Sequence, residues 1–97
     1  MFEFYKPNKR TFSVENPLKQ GQALRLLPPL LETVRRLDAA ETLDDFTVVA
    51  CDMFSRNEEG VAFTAAEIRS HVDYDQLKGF IWAYRRWLVD AAASDPN

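Results

Sequence analysis

Few side chains in this 97-residue chain are equipped for chemistry. His71 is the single histidine, and Asp73 and Asp75 follow it closely. A histidine beside a carboxylate can act as a general base or supply half of a metal site. The competing reading is a histidine at a helix C-terminus, where partial positive charge suits the dipole. Cys51 is the single cysteine and the only thiol nucleophile on offer, but nothing basic lies within a helical turn of it. A small, mostly buried hydrophobe is its expected role. Asp73-x-Asp75 fits the opening of a calcium loop, yet the glycine and the later glutamate are missing. Asp52 with Glu58-Glu59 offers loose cation binding or a solvated loop. Gly21, Gly60 and Gly79 are isolated, so no phosphate-binding loop is present. No catalytic, cofactor-binding or metal-binding residue is assigned, and no enzyme activity is expected.

Trp82 and Trp87 offer binding rather than reaction. They lie on a stretch expected to be helical over 74–93, where Leu77, Phe80, Ile81, Tyr84, Leu88 and Ala91 recur at three- and four-residue steps. Trp87 extends this stripe at the edge facing Tyr84. Trp82 is turned about 140° from Leu77 around the helix, and Val89 about 120°. One thin core cannot hold both flanks. Either another element covers Trp82, or Trp82 and Val89 form a contact surface rimmed by Arg85 and Arg86.

The elements that position these residues are expected to form a mostly α, α+β fold. A β-hairpin over 2–14 places Phe4 opposite Phe12 and Phe2 opposite Val14, with Pro7-Asn8-Lys9 as its turn. Asn16-Pro17 then reads as the cap and first residue of a helix over 17–37. Its stripe is Ala23, Leu24, Leu27, Leu30, Leu31, Val34 and Leu37. Pro28-Pro29 should kink or break it, because each proline removes a hydrogen bond and restricts the residue before it. Thr42 or Asp44 caps a helix over 43–56 that buries Phe46, Val49, Ala50, Met53 and Phe54. Thr64-Ala65-Ala66-Glu67 is a capping box opening a short helix over 64–71. Asp73 and Gln76 form a second box before the last helix, and 94–97 should fray. The expectation is therefore one domain, a hairpin packed on about four helices.

Composition narrows the function classes. Hydrophobic residues make up 46% of the chain, ordinary for one globular domain. One cysteine excludes an internal disulfide and fits a reducing compartment. No run of 18 apolar residues exists, and the first residues lack the basic-then-apolar order of a signal peptide, so a cytosolic protein without membrane span is expected. The net charge is −3 and unevenly spread: residues 1–36 hold seven basic and three acidic side chains, residues 37–75 two basic and ten acidic. The acidic middle disfavours nucleic-acid binding. Opposite charge at the two ends favours head-to-tail assembly, or simply marks a solvated acidic helix face.

The order of motifs resembles a known family. Lys9-Arg10-Thr11-Phe12-Ser13-Val14, then Pro17-Leu18 and Gly21-Gln22-Ala23-Leu24-Arg25-Leu26-Leu27-Pro28, is similar to the opening of the small tail assembly chaperones of long-tailed phages, with their "plt-x-GQ-x-x-x-L-x-P" pattern. Phe54-Ser55-Arg56-Asn57, Phe63-Thr64-Ala65-Ala66-Glu67-Ile68, Val72-Asp73 and Gln76-Leu77 continue the resemblance to about residue 90. The chain departs from the pattern at Glu58-Glu59-Gly60, where the family has a proline, and in its two tryptophans. The resemblance implies a non-enzymatic assembly factor in the host cell cytoplasm, absent from the mature virion. Its implied partners are the tape measure protein, which it keeps soluble, and the tail tube protein, which it helps recruit. Self-association into a homo-oligomer along that filamentous client is also expected, through Trp82, Arg85, Arg86 and Val89. The alternatives are a small regulator binding a host protein or DNA, and a head–tail joining component. For a DNA-binding regulator, the acidic turn Asp73-Tyr74-Asp75 stands where phosphate would meet a recognition helix.

Overall fold

Alternation at Leu24 and Leu26 sets the first layer of the fold. The computed structural model describes residues 10–94. Strand β1, Phe12–Glu15, pairs antiparallel with β2, Ala23–Leu26, with Phe12 opposite Leu26 and Val14 opposite Leu24. Leu24 and Leu26 are fully buried while Ala23 and Arg25 face outward, the two-residue period of a strand. The turn between the strands is closed by Asn16, whose side chain accepts from Leu18 N at 2.8 Å and donates to Gln22 Oε1 at 2.6 Å. Gly21 takes φ +87°, a conformation costly for any other residue type, and its amide donates to Glu15 Oε2.

This corrects the expected first helix. Residues 17–26 form a turn and a strand, and no kinked helix runs over 17–37. Gly21 on one side and Pro28-Pro29 on the other leave too short a segment for a stable helix. Strand pairing satisfies its backbone instead. The hairpin also differs: β1 pairs with the segment after it, and the expected partner residues 2–9 lie outside the described residues. The other edge of β2 is taken by the loop after the second helix, through Leu27 N to Arg56 O (2.9 Å) and Glu58 N to Arg25 O (3.0 Å). Arg25 clamps that loop with its amide and its Nε, each 2.9 Å from Glu59.

Residues 27–30, with the two prolines, form no regular element, Leu30 is extended, and Arg56 Nε donates to Pro28 O at 2.6 Å. Helix α1 therefore covers only Leu31–Ala39. Thr33 and Leu37, one turn apart, face its neighbours. Leu30 and Leu31 stand out in solvent, Leu31 at 87% exposure, because the extended break shifts the helical phase that the sequence pattern carried across it.

The remaining helices follow their local signals. Helix α2, Leu43–Ser55, is capped by Thr42 in a reciprocal box with Asp45, and buries Val49, Ala50, Met53 and Phe54 with Phe46 half-buried. The box amides of Glu41 and Thr42 hold the Asp45 carboxyl below its ordinary range. A lowered folded-state pKa stabilises the fold above the unfolded value, and that stabilisation is lost as the pH falls through the folded value. Helix α3, Ala65–His71, opens on the Thr64–Glu67 box. Helix α4, Tyr74–Ser94, opens on the Asp73–Gln76 box, with Gln76 N donating to Asp73 Oδ1 at 2.7 Å, and reaches one residue past its expected end. Thr64→Ala and Thr42→Ala should each cost about 1 kcal/mol in urea unfolding, while serine at either position should keep most of the cap. No loss in either alanine variant would mean that the boxes are incidental.

The core sits between the sheet, α2 and α4. An aromatic series runs through it: Phe12 lies 5.6 Å from Tyr84, and Phe54 stacks on Phe80 at 4.3 Å. Tyr84 is fully buried, its hydroxyl has no hydrogen-bond partner among the described residues, and burial pushes its pKa well up. An orphaned buried hydroxyl costs about 1–3 kcal/mol. Tyr84→Phe should therefore raise stability by about 1 kcal/mol. A loss of stability in the phenylalanine variant would show that the hydroxyl is bonded in solution.

Candidate functional site

The residues suited to chemistry are placed apart and are occupied structurally. His71 closes α3, with Nδ1 3.0 Å from Glu67 O, which fits the helix-terminus reading. Cys51 is half-buried, its Sγ lies 3.2 Å from Phe63 O, and burial pushes its thiol pKa up, away from the reactive thiolate. Asp52 accepts from Arg36 Nη1 at 2.7 Å and Glu59 from Arg25. Among the described residues, no three histidine, cysteine or acidic side chains are grouped to hold a metal ion. No helix among them is long and apolar enough to cross a membrane.

Exposed apolar side chains include Tyr74, Trp82 and Val89 on α4, beside Leu30, Leu31, Leu43 and Val48 elsewhere. Leu77, Ile81 and Tyr84 point to the core, so the flank that carries Trp82 and Val89 is turned away from it. Trp82 is 63% exposed and Val89 64% exposed. The guanidinium of Arg86 lies over the Trp82 ring, 5.1 Å from its centroid, which holds the indole in place while leaving it open. Arg85 sits beside them and reaches Leu37 O at the C-terminal end of α1 at 3.4 Å. Of the two readings of Trp82, the structure has the uncovered one. Trp87, by contrast, packs inward on Tyr84 and Phe12, under the guanidinium of Arg10 at 4.5 Å.

Trp82 also forms the lip of a surface groove of about 570 Å³ between the start of α2 and the first half of α4. Its floor is Leu77 and Ile81. Leu43, 56% exposed, and Tyr74, 58% exposed, stand at its sides. Sequence periodicity does not single these two out. Leu43 is seven residues before Ala50 and Tyr74 seven before Ile81, so each shares the helical phase of a buried residue. Each lies in the first turn of its helix, where the chain overhangs the core. An apolar residue of core phase at the very start of a helix is the signal that could have marked them. Lys78 stands over the Tyr74 ring at 5.0 Å and completes the α4 side with Arg85, while Glu41 stands on the α2 side.

The arrangement can bind a protein surface: exposed aromatics anchored by cations, on a rigid helix, with buried leucine and isoleucine beneath. Comparison with protein-family models, with curated proteins and with solved structures finds no match to this chain.

Proposed function

We propose that this chain is a non-enzymatic assembly chaperone of the phage-tail type. In this reading it coats a long helical tape measure protein in the host cytoplasm, keeps it soluble, helps recruit tail tube subunits and leaves before the virion is complete. The observation that carries the reading is the exposure of Trp82 and Val89 on the outer flank of α4, with Arg85 and Arg86 alongside. An apolar helix face of this kind suits an amphipathic helical client, which meets such surfaces through residues at three- and four-residue spacing. The order of the sequence motifs from Lys9 to about residue 90 points to the same class. The acidic turn at Asp73 and Asp75, both exposed, weighs against a DNA-binding regulator.

Co-expression with a tape measure protein tests the reading. The expected result is a soluble complex holding many copies of this chain per client. A client that stays insoluble in its presence and does not co-purify with it would overturn the reading, and recovery of the chain in purified virions would favour a head–tail joining component.

A further inference from the structure

The groove between α2 and α4 has an asymmetry of charge that an apolar client does not explain. Its α2 side carries Glu41 and no cation, and its α4 side carries Lys78 and Arg85 and no carboxylate. None of the three has an ion-pair partner among the described residues, whereas Arg25, Arg35, Arg36 and Arg69 each sit on a carboxylate. Between the two sides lie the most open aromatic and aliphatic anchors of this face, Leu43, Tyr74 and Trp82.

We propose that this groove is a twofold self-association surface whose occupant is the same groove of a second copy of the chain. A twofold contact brings one patch against itself with its two halves exchanged. Exchange here sets the Glu41 side of each copy against the Lys78–Arg85 side of the other. Both signs of charge are then matched in duplicate around a shared apolar centre. Leu43 of each copy faces the Trp82 side of the other, and the six exposed anchors of the pair leave water together. A partner helix with an acidic flank satisfies the α4 side alone and sets its carboxylates against Glu41. A basic flank has the opposite fault. The second copy is the occupant that answers both.

The pairing leaves Val89 and the Leu30–Leu31 corner outside the groove. A dimer would thus display two copies of each, an arrangement that raises avidity for any extended, repetitive partner. The inference stands on the groove and not on the identity of a client.

Sedimentation equilibrium on the isolated 97-residue chain, over a wide concentration range, tests it without a client present. Wild type should approach the dimer mass. Lys78→Glu and Glu41→Lys, both at exposed positions, should keep the helical circular dichroism and weaken association by about tenfold or more, since each sets like charges together twice. An equimolar mixture of the two variants should restore the dimer, because the exchanged charges become complementary at both contacts. Trp82→Ala should dissociate the dimer at high salt as well, where the charges are screened. Wild type that stays monomeric, charge reversals that leave the mass unchanged, or a mixture that stays monomeric would each overturn the proposal. The charge reversals and their mixture read self-association alone; Trp82 lines the groove and also lies on the outer flank of α4, so client contact is read apart from pairing by Val89, which lies outside the groove.

Discussion

Phe54→Ala should destabilise the fold by about 3–5 kcal/mol, the largest effect expected of any single core truncation here. Phe54 ends α2 almost fully buried, and its ring joins two parts of the chain that are far apart in sequence. On one side it stacks on Phe80 of α4 at 4.3 Å, and on the other it meets Phe63, before α3, at 5.9 Å. Phe63 is in turn pinned to α2 by Ser55, whose Oγ accepts from Phe63 N at 3.1 Å. Truncation removes the shared ring and leaves a cavity that the stapled loop cannot close by collapse. A domain of this size has about 5–15 kcal/mol in total, so the variant should melt more than about 10 °C below wild type. Leu31→Ala makes the contrast. Sequence periodicity assigns Leu31 to the same core, yet it is exposed, and the substitution should change stability by less than about 0.5 kcal/mol. Equal losses in the two variants would mean that the aromatic series is not the centre of the fold.

Trp82→Ala and Val89→Asp should each weaken retention of a tape measure client by about 2 kcal/mol, roughly thirtyfold. Both side chains point away from the core, so thermal unfolding should move little in either variant. That separation matters, because a core tryptophan and a contact tryptophan both abolish binding when removed, and only the second leaves the fold intact. A large exposed indole fixed under Arg86 loses little freedom on binding, the property that makes tryptophan a frequent anchor. Val89→Asp places a carboxylate on the apolar flank outside the groove and so reads client contact apart from self-association. Unchanged co-purification in both variants would remove this flank of α4 from the client surface.

Much of the helical half of the molecule is legible from short range. A capping box spans four residues and is satisfied by hydrogen bonds inside that span, so Thr64 with Glu67 and Asp73 with Gln76 act as start signals whatever surrounds them. The inward face of α4 is equally local, since Leu77, Ile81 and Tyr84 recur at helical spacing and each is buried. Asn57 shows the same economy in a loop: its side chain bonds Phe54 O, Val61 O and Val61 N, and closes residues 57–61 on itself.

Residues 23–26 mark where local information ends. Leu24 and Leu26 are consistent with a strand, while Leu24 and Leu27 are consistent with a helix. The choice lies with partners elsewhere: Val14 and Phe12 across one edge, and the loop at Arg56–Glu58 across the other. Backbone pairing of that kind has no signature within the segment itself, because the donors and acceptors that complete it come from Arg56 and Glu58, far along the chain. The groove at Leu43 and Tyr74 has the same origin. Spacing along each helix assigns both residues to the core, and only the way α2 and α4 overhang it leaves them open. Composition, caps and the two faces of α4 were thus written in the chain, with Trp82 on the outer one. Whether that face would be covered depended on how the helices met, because burial belongs to the packing of elements and not to any one of them.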